Sequence, residues 1–288
     1  MEPGNASATP NSADPPPRSR LAAQRHLVGL AVCALGAACS FAAEIAGPPK
    51  KPADIPLPTF SAKFADAAQV KLIAARKQHQ ADTNSIPAAW GLGRACFWRG
   101  EFAANDEQRA TVAQEGIAIC RTVTLNAPTV PEGHYYLAMN LGQLARTKWL
   151  DALSIVKELE YQLGLAGGMN PRLDFAGPDR CLGLLYRDAP GWPISVGSKS
   201  KTRTHLLRAV ELAPDFPENQ LILVETWLMW KEKKTLQRDL DTLAATLPKA
   251  RQQLTGDDWA AHWDDWDRRW KAVQTKAAEL FKKDRKST

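Results

Sequence analysis

The residues of this sequence best suited to acid–base chemistry lie close together near its C-terminus. The stretch "HWDDWD" places Asp264, Asp265 and Asp267 beside His262, and carboxylates paired in this way can transfer protons. On an amphipathic helix the same residues would instead form a charged outer face. The sequence contains no GxSxG, HExxH, GxxxxGK[ST] or GxGxxG motif, which are signatures of nucleophilic, zinc and phosphate chemistry. We therefore predict that the protein is not an enzyme and needs no cofactor.

Cysteine is the other residue type that could do chemistry here. Cys33 and Cys39 lie near the N-terminus, whereas Cys96, Cys120 and Cys181 are spread along the rest of the chain. No CxxC pair and no suitably spaced histidine partners occur, so no metal site is predicted. Cys96 and Cys120 fall on facing sides of two paired helices, so they form either a disulfide or two buried thiols.

Length, composition and charge describe an ordinary globular protein. The 288 residues are 44% hydrophobic and 24% charged, with a formal net charge of +6. Most Lys and Arg residues share their predicted helices with Asp and Glu, which indicates a solvated surface and no nucleic-acid partner. No segment approaches 18 consecutive apolar residues, so no transmembrane helix is predicted.

The N-terminal 59 residues differ in composition from the rest. Residues 1–43 begin with a stretch rich in Pro, Ala and Ser that is typical of disorder, followed by arginines, the apolar run "LVGLAVCALGAA" and small residues. This succession is typical of an export signal, so we predict a periplasmic protein. Cys39 follows small residues and is a candidate for lipid attachment to a membrane. Residues 44–59 are rich in proline and predict an extended linker.

From residue 60 to residue 256, apolar residues recur at helical spacing, and the predicted helices fall into pairs. Pro214 and Pro248 are 34 residues apart, which is the length of one tetratricopeptide unit. Small residues at Gly183 and Ala209 allow two helix backbones to approach each other. The clearest pair matches the tetratricopeptide pattern at seven positions: Leu182, Gly183, Tyr186, Thr202, Leu206, Ala209 and Pro214.

Three looser pairs accompany this unit, two before it and one after it. The two earlier pairs have their Leu-Gly anchors at Leu92–Gly93 and Leu141–Gly142. We therefore predict an all-α fold, a tetratricopeptide-like α-solenoid of four helix hairpins with one further helix before them.

Residues 257–288 form a separate C-terminal segment with a tryptophan at every third or fourth position. Trp259, Trp263, Trp266 and Trp270 would share one stripe of a long helix. Such a stripe is either a stacking platform for sugars or bases, or the inner face of a helix that covers the last repeat. We predict a long C-terminal capping helix, because solenoids need a cap to remain soluble.

The concave side of stacked helix pairs is lined by the first helix of each pair. Arginines in a partly apolar groove suit a carboxylate ligand or an acidic peptide, or they pair with Asp and Glu on neighbouring helices. The register from each Leu-Gly anchor selects the following inward-facing residues: Trp90, Arg94, Trp98, Tyr136, Met139, Gln143, Arg146, Arg180, Arg187, Asp188, Leu221, Glu225, Leu228 and Met229.

The third helix pair carries an insertion at its tip. Gly183 and Thr202 are 19 residues apart, about seven more than in a standard unit. Two prolines flank Trp192, and Ser198 or Ser200 can cap the helix that follows. Trp192 either packs against its own repeat or projects outward as a docking element.

Two stretches, "PEGHYYLAMNLGQLAR" and "AGPDRCLGLLYRDAPGWPISVGSKSKTRTHLLRAVELAPDFPEN", together with the exported N-terminus, resemble the T component (TatT) of periplasmic TRAP transporter systems. The resemblance covers roughly residues 86–247. It implies an all-helical protein that pairs with the transporter's solute-binding protein and handles organic acids or other hydrophobic small molecules. Some members form homo-oligomers. An imperfect lipid-attachment sequence and the Trp-rich end depart from the family pattern.

The sequence as a whole predicts a non-catalytic exported binding protein, which acts as an accessory of a TRAP-type transporter. The alternative is an envelope scaffold for protein–protein interactions without a transporter. The resemblance implies binding roles for the residues inside its two stretches: Tyr136, Asn140, Gln143, Arg180 and Arg187. Inward register or loop position adds the others: Trp90, Arg94, Trp192 and Glu225.

Overall fold

The structure is a computed structural model that describes residues 61–147 and 152–285. Over these residues the chain is helical and forms no β-strand, and the described residues belong to one compact unit. The predicted export signal, the linker and the lipid-attachment candidate Cys39 lie outside the described residues. No helix of the described ranges is both long and apolar enough to cross a membrane.

Ten α-helices follow one another in the described part of the chain. The hairpins α2–α3, α4–α5, α6–α7 and α8–α9 confirm the predicted four units, with α1 before them and α10 after them. A short 3₁₀ turn at Ala62–Phe64 precedes α1. The helices are α1 Ala65–Ala81, α2 Ile86–Glu101, α3 Asp106–Asn126, α4 Pro131–Ala145, α5 Ala152–Met169, α6 Gly177–Asp188, α7 Lys199–Leu212, α8 Pro217–Trp230, α9 Leu236–Gln253 and α10 Asp257–Arg285.

Local sequence explains where the helices begin. The first helix of every hairpin has a proline in its first turn, where a missing N–H costs nothing because that group has no intrahelical partner. Second helices use polar caps: the Asn105 side chain accepts from the N–H of Gln108, and Ser198 accepts from that of Lys201. The four prolines are Pro87, Pro131, Pro178 and Pro217.

Small residues bring the two helices of a hairpin together, as the sequence predicts. The Cα of Gly183 lies directly against the side chain of Leu206, so that no room remains for a Cβ. Leu206 and Ala209 are fully buried. The predicted stop at Pro248 is wrong, because that proline lies inside α9, which continues to Gln253.

The disulfide considered between Cys96 and Cys120 is not formed in the structure, where both are buried free thiols. The two side chains pack into different apolar clusters: Cys96 lies with Leu72 and Leu92, and Cys120 with residues of α4 and beyond. The Cys120 sulfur is directed at Gly93. Burial raises the pKa of the Cys96 thiol to about 12, so the pair consists of inert structural thiols.

The helix α10 begins at Asp257, packs on α8 and presents its tryptophans to the protein, which confirms the long capping helix. Trp263 and Trp266 are buried, and Trp259 and Trp270 are half-buried. The interpretation of "HWDDWD" as an outer face is wrong for Asp265, which is buried at 1% exposure. Its carboxylate lies beside an arginine one turn later on the same helix.

Candidate binding site

Three of the predicted groove residues come together between α2 and α4. The rings of Trp90 and Tyr136 are stacked with centroids 6.1 Å apart and planes 8° apart. The guanidinium of Arg94 lies over the Trp90 ring, 5.7 Å from its centroid. Burial raises the pKa of Tyr136, and nearby Asp174 reinforces this while Arg94 opposes it. The three residues form an aromatic surface with one cation at its edge.

Arg94 is the most available cation of this group. Its side chain is exposed, and within the two described ranges no carboxylate lies at ion-pair distance from its guanidinium. A guanidinium with free donors can bind a carboxylate through two parallel hydrogen bonds. Trp90 and Arg94 together therefore suit a ligand with a flat apolar body and one negative charge.

Asn140 is placed for packing rather than for binding. Its side-chain amide donates to the carbonyl oxygens of Gly93 at 2.9 Å and of Tyr136 at 2.7 Å, and the residue is fully buried. Gly116 on α3 leaves room for this amide, since a Cβ there would overlap it. Asn140 therefore joins α2, α3 and α4.

Gln143 lies in a buried polar network at the end of the same helix. Its amide nitrogen donates to Glu101, and its carbonyl oxygen accepts from Arg109 at 3.1 Å and from Arg146 at 3.2 Å. Arg146 also pairs with Glu101. Because these charges satisfy one another, Gln143 and Arg146 stabilise the hairpin contact instead of facing the groove.

Arg180 holds an unusual turn before α6. Its guanidinium donates to the carbonyl oxygens of Asp174 at 3.1 Å and of Phe175 at 3.2 Å, and to the Asp174 carboxylate at 2.8 Å. Asp174, Phe175 and Ala176 all have left-handed backbone conformations, with φ of 48°, 55° and 61°. Such conformations are unfavourable for residues with a Cβ. Arg180 thus stabilises a strained segment.

Arg187 is also engaged within the protein. Its guanidinium pairs with the neighbouring Asp188 through bonds of 2.6 and 2.9 Å and donates to the Thr226 hydroxyl at 3.3 Å. For Arg180 and Arg187 the structure therefore shows the second interpretation of the groove arginines, in which they pair with the protein's own carboxylates.

Glu225 faces inward, as the register predicts, but it meets a residue of α10. Arg269 donates to both of its oxygens, at 2.9 and 2.8 Å, and to both oxygens of Glu218, at 2.7 and 2.9 Å. Asp265 approaches the same guanidinium at 3.0 Å. Three carboxylates thus surround one buried arginine.

The electrostatics of this cluster follow from burial and from the surrounding charges. Burial opposes the charge of Arg269, but Glu218, Glu225 and Asp265 outweigh it and hold the pKa of the guanidinium well above its ordinary value. Burial would raise the pKa of Glu218, but Arg269 and Arg180 lower it. Burial dominates at Asp265 and raises its pKa.

Sequence reasoning missed Glu218 and Arg269 as inward-facing partners. Glu218 and Glu225 are seven residues apart, so they share one face of α8 after two turns. Arg269 follows Trp266 by three residues and therefore lies on the tryptophan stripe. This pattern could have been found in the sequence, but it does not show that the two faces meet.

Trp192 projects into solvent from the tip of the third hairpin. Its side chain is 89% exposed, the highest exposure among the large apolar residues of the described ranges, and Ile194 beside it is 42% exposed. The loop itself is fixed by backbone hydrogen bonds, from Gly197 N–H to the Pro190 carbonyl at 2.9 Å and from Ser198 N–H to the Tyr186 carbonyl at 2.8 Å. The structure therefore has the outward alternative for Trp192.

No set of three or more His, Cys, Asp and Glu residues in the described part of the chain is arranged to hold a metal ion. His262 sits among aromatic rings, 4.9 Å from Trp98 and 5.1 Å from Trp259 between centroids. Burial lowers the pKa of His262, although Glu218 and Asp174 oppose this. A neutral imidazole packed in this way behaves as an aromatic core residue at neutral pH.

Comparison with known proteins supports the fold. No protein-family model matches the chain, and no curated protein sequence matches it. Among solved structures, the chain is similar to a thermophilic tetratricopeptide-repeat protein of Thermus thermophilus. The two share 18% sequence identity with a TM-score of 0.51, and the match covers 74% of this chain and 93% of the other. Together with the four hairpins, this likeness shows that the chain has a tetratricopeptide-like α-solenoid fold.

Proposed function

We propose that this protein is a non-catalytic binding protein that docks a partner protein through the loop around Trp192. The observation that carries the proposal is the 89% exposure of this side chain. A tryptophan exposed in water loses the free energy that its burial would provide, and tryptophan is enriched among the residues that dominate protein interfaces. The tetratricopeptide-like fold supports a binding role in general.

The loop has the features of a preorganised docking element. Its backbone is held by internal hydrogen bonds, and Gly197 is packed so closely against the Ala189 and Pro190 carbonyls that a Cβ would not fit. A loop that is already ordered loses little conformational entropy when it binds. We therefore expect Trp192 to enter a preformed apolar socket of the partner.

Charge around the loop indicates the rim of that socket. Lys199 and Lys201 are exposed at the start of α7, with Lys199 over the Trp230 ring at 5.5 Å and Lys201 over the Tyr186 ring at 4.5 Å. An acidic rim around an apolar socket would complement these cations. We propose that the partner is the periplasmic solute-binding protein of a TRAP-type transporter, which presumes that the N-terminal segment exports the chain.

Substitution of Trp192 by alanine should weaken partner binding about 30-fold or more, as for a central interface residue. The melting temperature should stay unchanged, because the side chain contacts little of its own protein. The measurement is affinity capture from an extract of the envelope by the purified protein, followed by titration of the captured partner. Leu207→Ala, at a partly exposed apolar residue of α7, is the matched control and should bind as the wild type does.

Capture of the same partner by the Trp192→Ala variant would contradict the docking role of this loop. Capture of envelope proteins unrelated to any solute carrier would instead support the alternative, a scaffold without a transporter. A solute-binding protein lost selectively from the Trp192→Ala sample would support the transporter role.

A second candidate function rests on Arg94, whose exposed guanidinium lies over Trp90. This arrangement favours a small carboxylate with an apolar body, such as an aromatic acid. Benzoate should cause a saturable change in tryptophan fluorescence that is absent from Arg94→Met. Benzamide, which has the same ring without the charge, is the control ligand. If benzoate and benzamide act alike, or the variant responds as the wild type does, this candidate is wrong.

A further inference from the structure

The first part of α10, residues 257–270, covers the surface that the predicted groove residues would otherwise line. Its Trp259 meets Phe175 and Phe216 at centroid distances of 5.9 and 6.1 Å, and its His262 meets Trp98 edge-on at 4.9 Å. These partners come from α2, from the strained turn before α6, and from the start of α8. One helical segment therefore occupies an aromatic surface built by three different hairpins.

Charge gives this surface a second feature. Glu218 and Glu225 lie two turns apart on α8 and grip the same guanidinium with four hydrogen bonds of 2.7–2.9 Å. Because Arg269 comes three residues after Trp266, one face of α10 delivers an aromatic ring and a cation together. The indole N–H of Trp266 also donates to Glu218, at 2.5 Å. The surface thus matches a helix with both groups at this spacing.

The far end of the segment is attached much more weakly than its middle. Two ion pairs hold it to α1, Lys63–Asp264 and Lys71–Asp258, both at 2.5 Å. Their members are exposed or half-exposed, and such pairs contribute little to stability. The three-residue connection from α9 contains Gly256 with φ 86°. Beyond the segment, Val273 and Ala277 are buried against the fourth hairpin.

We infer that residues 257–270 are an intramolecular occupant of a helix-binding surface. The partner that this surface fits is an amphipathic helix with large aromatic residues on one face and an arginine three residues after one of them. Such a helix replaces residues 257–270, while the rest of α10 stays packed on α8. This surface is separate from the loop around Trp192, so the inference does not depend on the docking proposed for that loop.

A peptide with the sequence of residues 257–274, labelled at its N-terminus, tests this inference on the full-length protein. In the wild type the tethered segment competes with the peptide at a high effective concentration, so binding should be weak. The variant Asp258→Lys/Asp264→Lys sets two like-charged pairs between its own segment and α1. The added peptide keeps both native aspartates and can still pair with Lys63 and Lys71.

The variant should bind this peptide about tenfold more tightly than the wild type does, measured by fluorescence anisotropy. The gain should shrink at 1 M salt, where charges are screened. A peptide with Arg269→Gln should bind the variant at least tenfold more weakly than the native peptide, since Glu218 and Glu225 lose their guanidinium.

Circular dichroism shows whether the charge reversal has lowered the helix content. If it has, Asp258→Asn/Asp264→Asn replaces it and should change affinity in the same direction by a smaller factor. Equal affinity of wild type and folded variant for the peptide would overturn the inference. So would the absence of saturable binding to the folded variant, or equal binding of the Arg269→Gln peptide.

Discussion

Replacement of Arg269 by leucine is expected to lower the free energy of unfolding by about 3–5 kcal/mol, the usual cost of removing one partner from a buried ion pair. Arg269 is only 8% exposed, and its guanidinium is shared by Glu218, Glu225 and Asp265. Leucine would leave three carboxylates facing one another with little access to water. Chemical denaturation followed by circular dichroism measures the loss, which corresponds to a fall in melting temperature of about 10 °C.

The matched control is Arg121→Leu, because Arg121 also binds a carboxylate through two hydrogen bonds, here to Glu158 at 3.0 and 2.9 Å. Both members of this pair are substantially exposed, at 54% and 34% of their side-chain surface. Water replaces the lost partner at such a site, so the loss should be at most about 1 kcal/mol. Equal losses for Arg269→Leu and Arg121→Leu would contradict the proposed role of burial.

The pH dependence of the Arg269→Leu variant gives an independent check. In the wild type the folded pKa of Glu218 is lowered, so its contribution to stability is present above its unfolded pKa and is lost as the pH falls through its folded pKa. Without Arg269, burial would raise the folded pKa, so the penalty at neutral pH is relieved as the carboxyl becomes protonated. The stability difference between wild type and variant should therefore narrow between pH 7.5 and pH 5.

Much of the fold could be predicted because tetratricopeptide units depend on short-range patterns. Gly183 and Leu206 show where two helices touch, and Ser198 shows where the second of them begins. The tryptophan stripe of α10 has a helical period, so its inner face was predictable as well. The same register brought Trp90, Arg94 and Tyr136 to one place, where the structure has them in contact.

The contacts of α10 could not be predicted, because they join residues far apart in the chain. Lys63 and Asp264 are 201 residues apart, and no periodic pattern relates them. The roles of Arg180 and Arg187 were equally hidden. A groove position is defined by helix register alone, but a nearby carboxylate such as Asp174 lies outside any helix, in a turn that no glycine announces.

Substitution of Arg180 by methionine is expected to destabilise the protein by about 3 kcal/mol. Methionine keeps most of the apolar length of the side chain, but it removes the donors to the Asp174 and Phe175 carbonyls and to the Asn219 side chain, at 3.1–3.2 Å. Leaving buried acceptors without donors costs roughly 1–3 kcal/mol per group. Asp174 keeps one donor, the Tyr135 hydroxyl at 2.6 Å, and its own side chain is 40% exposed.

Arg94→Met separates this structural role from a role in binding, since both arginines were predicted to line the same groove. Arg94 is exposed and makes only a ring contact with Trp90, so its loss should change stability by at most about 1 kcal/mol. Arg180→Met should in addition loosen the left-handed turn that seats Phe175 on Phe216, where the ring centroids are 4.3 Å apart. Hydrogen exchange should rise at residues 172–178 in Arg180→Met and stay unchanged in Arg94→Met. If both variants unfold at the same denaturant concentration as the wild type, then Arg180 does not hold this turn, and its guanidinium is available to a ligand.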